Sequence, residues 1–164
     1  MTLHRQVTHY STLDTPIGRL IFGGGRSTLT LIGLPRGSRA VILNPDWRQD
    51  ETLFPLAKRQ VANYFAGSRD RFDFPMRLIG TDFQKRVWRT LLKIPIGATM
   101  SYSALAGLIG QPGAARAVGA ANSRNPLPIV VPCHRLIGGN GSLTGFGGGL
   151  EVKRFLLDLE SSKL

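Results

Sequence analysis

The sequence predicts an α+β fold in two parts, a strand-bearing N-terminal region and a mostly helical second half. Three observations predict it. Short runs of β-branched and aliphatic residues with turn signals between them fill the first 34 positions. Helical periodicity dominates after residue 80, and residues 67–80 read as a linker between the two. The expected division is a first domain over 1–78 and a second over 79–164. At 164 residues and 42% hydrophobic content, the chain can bury a core as one compact unit or as two small ones sharing an interface.

In chain order, Val7 to Leu13 and Leu20 to Phe22 flank the turn signal Thr15-Pro16-Ile17-Gly18, and Thr28 to Leu34 supplies a further strand. Gly23-Gly24-Gly25 reads as a hairpin turn rather than a phosphate loop, because no Lys-Ser/Thr pair follows. Residues 35–52, rich in Pro, Arg, Asp and Gly, read as irregular loop. A helix fits Leu53 to Phe65, with Leu56, Gln60, Val61, Tyr64 and Phe65 near one face and Gly67 closing it. Phe83, Val87 and Leu91, with Trp88 and Leu92 beside them, predict an amphipathic helix over Asp82 to Lys93, ended by Pro95-Ile96-Gly97. Ser101 can cap a helix carrying Tyr102, Leu105, Leu108 and Ile109. Gly110-Gln111-Pro112-Gly113 then turns the chain into a third helix, Ala114 to Asn122, which completes a helix-turn-helix outline. A last helix carries the apolar stripe Val152, Phe155, Leu156 and Leu159.

Charge narrows the partners. A net charge of +11 attracts polyanions, nucleic acid first among them. The surplus does not localise a binding face, since residues 1–80 carry 11 basic against 6 acidic side chains and residues 81–164 carry 10 against 4. With 8% aromatic residues, a base-stacking platform for single strands is not indicated. No apolar run approaches the roughly 20 residues that cross a bilayer. Met1 to Gln6 lacks the apolar stretch of a secretory signal. The single cysteine excludes an internal disulfide and suits a reducing compartment, so a cytoplasmic setting is expected. Only His4, His9 and His134 accompany that cysteine, and no metal site is expected. The terminal Ser162-Lys163-Leu164 matches a peroxisomal address at three positions and is read as chance.

The stretch Pro126-Leu127-Pro128-Ile129-Val130-Val131-Pro132-Cys133-His134-Arg135 carries the chemistry. A short apolar run between prolines buries itself and delivers Cys133 and His134 at its end. A nucleophilic cysteine acts as thiolate, and an unperturbed thiol of pKa about 8.5 is only slightly ionised at neutral pH. His134 is the adjacent base, but neighbours on an extended segment point to opposite sides, so the pair needs a turn or a bridging water. Glu160, one turn after Leu156, can orient the imidazole if it faces inward; an exposed helix-end carboxylate is the other reading of it, and sequence grounds favour that one. The small side chains of the third helix suit either close approach to a narrow minor groove or tight helix packing.

Pro132-Cys133-His134-Arg135, preceded by Asn125-Pro126 and followed by Gly145-Phe146-Gly147-Gly148-Gly149-Leu150 and Lys153, resembles the O6-alkylguanine-DNA alkyltransferase family (methylated-DNA–protein-cysteine methyltransferases). Phe83-Gln84, Val87-Trp88, Ser101-Tyr102 and Arg116-Ala117-Val118-Gly119 match in the same order, as do Tyr64-Phe65-Ala66-Gly67 and Phe72-Asp73-Phe74-Pro75. The resemblance implies a ribonuclease-H-like N-terminal domain and a winged-helix-like C-terminal one. It implies stoichiometric, irreversible transfer of the alkyl group from O6-alkylguanine, and from O4-alkylthymine, in duplex DNA to Cys133, after minor-groove binding and base flipping. No cofactor is required, and a monomer is expected, with cooperative DNA binding left open.

The resemblance also distributes roles. Cys133 is the acceptor, His134 its base through a water, Glu160 the orienting carboxylate and Asn125 the hinge. Arg116 fills the gap left by the flipped nucleotide, and Tyr102 presses on the 3′ phosphate. Further DNA contacts fall to Ala114, Ala115, Gly119, Arg124 and Arg135. Leu136, Leu143, Phe146, Gly147 and Gly148 join Tyr102 in the substrate pocket. Cysteines that bind structural zinc in some relatives are lacking, Phe146 and Gly147 replace a Tyr and a Ser found in some, and Arg124 stands where Gly is usual. Two rivals stay open. A Cys-His hydrolase would turn over an ester or amide and have no use for the helix-turn-helix, and a non-catalytic lesion binder would not need Cys133.

Overall fold

The computed structural model describes residues 6–163. The readings of Met1 to Gln6 and of the terminal tripeptide therefore fall wholly or partly outside the described residues. The N-terminal half is a four-stranded sheet of β1 (His9–Thr15), β2 (Gly18–Gly24), β3 (Leu29–Gly33) and β4 (Arg48–Gln49), in the order β3-β2-β1-β4. β1, β2 and β3 form an antiparallel meander, and β4 pairs parallel to β1. The first turn works because Gly18 sits at φ +109°, where a side chain would be strained and would strike Pro35.

Two readings of this region are corrected. Gly23 and Gly24 belong to β2, and the turn follows at residues 25–27. The ladder slips register there, and a Cβ on Gly24 would lie 2.2 Å from the Thr28 carbonyl oxygen, so glycine serves a bulge and not the turn itself. Residues 35–52 are not wholly irregular. They include β4, and Trp47 packs with Val7 and Leu31 in a small satellite core.

Helix α1 (Pro55–Phe65) begins two residues later than Leu53, because Phe54 adopts a left-handed conformation (φ 57°) and Pro55 fixes the first turn. It buries Ala57, Gln60, Val61 and Tyr64. The segment read as a linker runs along β3, with Leu29 donating to the Pro75 carbonyl (3.1 Å) and Arg77 to that of Leu29 (2.9 Å). Gln60 ties it down with a pair of hydrogen bonds to Asp73.

The second half begins at α2 (Asp82–Leu91), whose Thr81 and Gln84 form a capping box. α2 buries Val87, Trp88 and Leu91, whereas Leu92 falls past the helix end and is 41% exposed. Short β5 (Met100–Ser101) leads into α3 (Tyr102–Leu108), capped by Ser101 as expected, and α4 (Ala115–Ser123) follows. β6 (Leu136–Ile137) pairs parallel to β5, and α5 (Leu150–Ser161) closes the described chain. The buried line of α5 is Lys153, Leu156 and Glu160, while Phe155 of the expected stripe is 39% exposed. One hydrophobic cluster runs through both halves, from Leu20, Phe22 and Val61 to Trp88, Leu127 and Leu156. No helix among the described residues is long and apolar enough to cross a membrane.

Candidate active site

The proline-bounded run does bury itself: Leu127, Ile129, Val130 and Val131 are all 3% exposed or less. Its path is a compact turn that the Asn125 side chain staples at both ends. Asn125 Oδ1 accepts from the Leu127 amide (2.9 Å), and Nδ2 donates to the Val131 carbonyl (2.7 Å). Ile129 within this turn has φ +76°, a conformation that costs a β-branched residue on the order of 1–3 kcal/mol. Burial and the staple hold it there.

The next three residues, Cys133–Arg135, form one turn of 3₁₀ helix. This resolves the geometric objection to neighbours on an extended segment, because Cys133 and His134 sit on a turn. His134 Nε2 lies 2.6 Å from Glu160 Oε1, both side chains wholly buried. A carboxylate requires a donor, so Nε2 carries the proton and Nδ1 presents its lone pair. Among the described residues Nδ1 has no partner. Glu160 is thus not the exposed helix-end carboxylate that sequence grounds favoured.

Arg135 is also corrected. The resemblance assigned it to DNA, yet it is 6% exposed and each of its three guanidinium nitrogens donates inside the protein. Nε and Nη2 reach Glu160 Oε2 and Oε1 at 2.9 Å each, and Nη1 donates to the Ile94 carbonyl at 2.5 Å. A buried carboxylate demands a paired cation, and Arg135 supplies it. Burial alone would push the Glu160 carboxyl up, but the His134 and Arg135 hydrogen bonds hold it well below the usual carboxylate range. Burial pushes the His134 imidazole down, against the pull of Glu160, so it stays neutral.

Cys133 is 5% exposed and opens on a cavity of about 920 Å³. Burial pushes its thiol up to about 11, opposed by the Asn125 hydrogen bond and the Lys153 charge. The resting thiol is therefore protonated, and any nucleophilic use of the sulfur requires that proton to leave. The cavity brings together Tyr102, Arg116, Asn125, Cys133, Phe146 and Gly147. Tyr102 is tied to the far rim, its hydroxyl accepting from Thr144 Oγ1 at 2.9 Å. Leu136, Leu143 and Gly148 do not line the cavity. The Leu136 side chain is in the core, and its carbonyl already accepts from Lys153 Nζ (2.5 Å).

The helix-turn-helix stands beside the cavity. α4 turns Val118, Ala121 and Asn122 inward, while Ala114 to Ala117 and Ala120 line a shallow outward groove. Small side chains therefore form the free face as well as the packed one. Arg116 and Arg124 are exposed, and Gly119 lies under the Tyr102 ring. On the other side, the N-terminal domain forms a cavity wall. Arg39 donates its amide to the Gly147 carbonyl (3.0 Å), and a Cβ on Gly147 would meet the Arg39 side chain at 2.8 Å. A side chain at 147 would push this wall away.

Sequence reasoning missed three contributors. Lys153 is wholly buried, with Nζ bridging the Leu136 and Thr144 carbonyls (2.5 and 2.9 Å). Asn122 Nδ2 donates to the Cys133 carbonyl at 3.2 Å. Tyr64, on α1, reaches across to Glu160. The signal for Lys153 was its helical spacing from Leu156 and Glu160, which places all three on one face.

Comparison with known proteins places both halves of the chain in one family. Residues 8–78 match the family model described as 6-O-methylguanine DNA methyltransferase, ribonuclease-like domain, and residues 82–162 match its DNA binding domain. A methylated-DNA–protein-cysteine methyltransferase of Mycobacterium tuberculosis is 50% identical over 94% of this chain and 93% of its own. The Methanosarcina acetivorans protein of the same name is 44% identical over 94% and 99%. The crystal structure of Mycobacterium tuberculosis OGT in complex with DNA superposes with a TM-score of 0.89 at 49% identity, covering 95% of this chain and 94% of that one. By sequence and by structure, the chain belongs to the 6-O-methylguanine DNA methyltransferase family.

Proposed function

We propose that this protein repairs alkylated guanine in duplex DNA by moving the alkyl group onto Cys133, once per molecule, in the cytoplasm, with the nucleoid if the source is bacterial or archaeal. The observation that carries this reading is Cys133 at the foot of a cavity roomy enough to admit a base, adjacent in sequence to a neutral imidazole whose free nitrogen can take a proton. O4-alkylthymine is the second substrate. Residues 79–164 do the chemistry, and residues 1–78 supply a wall of the pocket and part of the core.

Guanine O6 is buried in the base stack, so the nucleotide must be extruded before sulfur can reach the alkyl carbon. The small-residue face of α4 enters the minor groove, Arg116 occupies the vacated space and Tyr102 turns the phosphate. The thiol proton passes to His134 Nδ1, directly or through a water, and Glu160 stabilises the resulting imidazolium. A bond forms between Cys133 Sγ and the alkyl carbon as the carbon–O6 bond breaks. The electron pair stays with guanine, which takes up a proton from water, and His134 returns the thiol proton to solvent, so the proton count balances. The thioether has no ready path back, so the protein is consumed.

Duplex DNA carrying O6-methylguanine should add one methyl group to the peptide bearing Cys133, read by mass spectrometry. Cys133→Ser should abolish transfer and leave DNA binding in place. Repeated turnover, or a methyl group on another residue, sinks the reading.

A further inference from the structure

The Glu160 carboxylate is more heavily engaged than orienting one histidine requires. Oε1 accepts from His134 Nε2 (2.6 Å), Arg135 Nη2 (2.9 Å) and the Tyr64 hydroxyl (2.8 Å). His134 and Arg135 belong to the turn that carries Cys133, but Tyr64 lies 96 residues away in sequence on α1 of the N-terminal half. Its side chain is wholly buried, and its ring is held edge-on by Phe65 and tilted against Phe72, with centroids 5.3 and 5.8 Å away. Lys163 Nζ, just past α5, sits 4.4 Å from the ring centroid and donates to the Tyr64 carbonyl at 2.9 Å. The hydroxyl therefore cannot swing away from Glu160 without moving α1 against α5.

We propose that Tyr64 is a positioning residue for alkyl transfer: through its hydrogen bond to Glu160 Oε1 it sets how strongly that carboxylate holds the His134 proton. This rests on the reading of His134 as the base for Cys133. A carboxylate that shares its charge with several donors is a weaker acceptor for each of them. Tyr64 thus competes with His134 Nε2–H for one oxygen and keeps the imidazole from being stabilised as a cation before substrate arrives. Burial and the Glu160 charge both push the phenol up, so Tyr64 stays a neutral donor. The other charged groups in reach are Arg135 on Glu160, Lys153 and Cys133 beside His134, and Lys163 with Asp70 beyond it. None of them replaces a donor on the α1 side.

The test is the pH dependence of methyl transfer to Cys133 from O6-methylguanine duplex in the full-length protein. In Tyr64→Phe the ring packing is kept and one donor is lost, so Glu160 holds the imidazolium more tightly. The acid limb of the rate profile should move up by about half a pH unit, the scale of one neutral hydrogen bond in a protonation equilibrium. Incorporating 3-fluorotyrosine at Tyr64 makes the phenol a stronger donor and should move the limb down. In a Glu160→Gln background neither change should move it further. An unmoved limb with the fluorinated residue, or the same shift with Gln at position 160, overturns the proposal. A wild-type protein that leaves Cys133 unmethylated would instead sink the repair reading itself.

Discussion

Two buried basic side chains lie close to Cys133, and each answers a different kind of partner. Arg135 neutralises Glu160, whereas Lys153 meets backbone carbonyls and the cysteine itself. Replacing Lys153 with Met leaves the Leu136 and Thr144 carbonyls short of a donor. We expect a loss of about 1–3 kcal/mol in urea unfolding, the cost of unpaired buried polar groups, together with slower methylation of Cys133. Arg116→Ala should spare stability and slow repair of duplex far more than reaction with free O6-benzylguanine, compared as two rate constants; equal losses on both substrates would refute the space-filling role. Cys133 and His134 were legible in the sequence because they are adjacent at the end of one apolar run, and Asn125 only through the family resemblance of its motif. Glu160, Arg135 and Tyr64 were harder, since charge on a sequence reads as surface until a partner is seen. A lysine among leucines was the one visible hint, and it pointed to the buried face of α5.

At the scale of elements, local signals placed most of the helices and also fix where several of them begin. Pro55, the Thr81 box and the Ser101 cap are signals written within four residues, and each marks a helix start. β4 and the segment along β3 were missed because their hydrogen bonds go to strands far away in sequence. Thr81→Ala should cost about 1 kcal/mol in thermal or urea unfolding by removing the cap of α2. α4 presents a sharper test. Ala120 is exposed on its outward groove, so Ala120→Leu should leave the melting temperature near wild type. It should weaken duplex binding by at least tenfold in a fluorescence titration, because a branched side chain would hold the helix off the groove floor. Unchanged affinity would mean that α4 contacts DNA by another face.

For the molecule as a whole, acid and alkali should both erode stability, for opposite reasons. His134 is held neutral below its ordinary value of 6.5, so the unfolded chain binds more protons as pH falls past that value. Glu160 has a depressed pKa, and its contribution is present above its ordinary value of 4.5 and fades as pH drops through the folded one. On the alkaline side, Cys133 is raised from 9.0 to about 11, so the unfolded chain loses that proton first and stability declines across this window. Urea midpoints from pH 4 to 11 check this; Tyr64, also raised from its ordinary 10.0, adds to the decline above pH 10, so Cys133→Ser should lessen the decline between pH 9 and 10 and leave the acid limb unchanged. The two halves share one core, so unfolding should be a single transition, although composition had left two units open.

Under the single use of each molecule proposed above, the shelter around the sulfur has a practical bearing. Thiols are drained by peroxide and small electrophiles in proportion to how ionised and how reachable they are. At 5% exposure and with its proton retained, Cys133 is a poor target for both. The stock of working molecules is then run down by lesions rather than by ambient oxidant, and each copy keeps until it is called on.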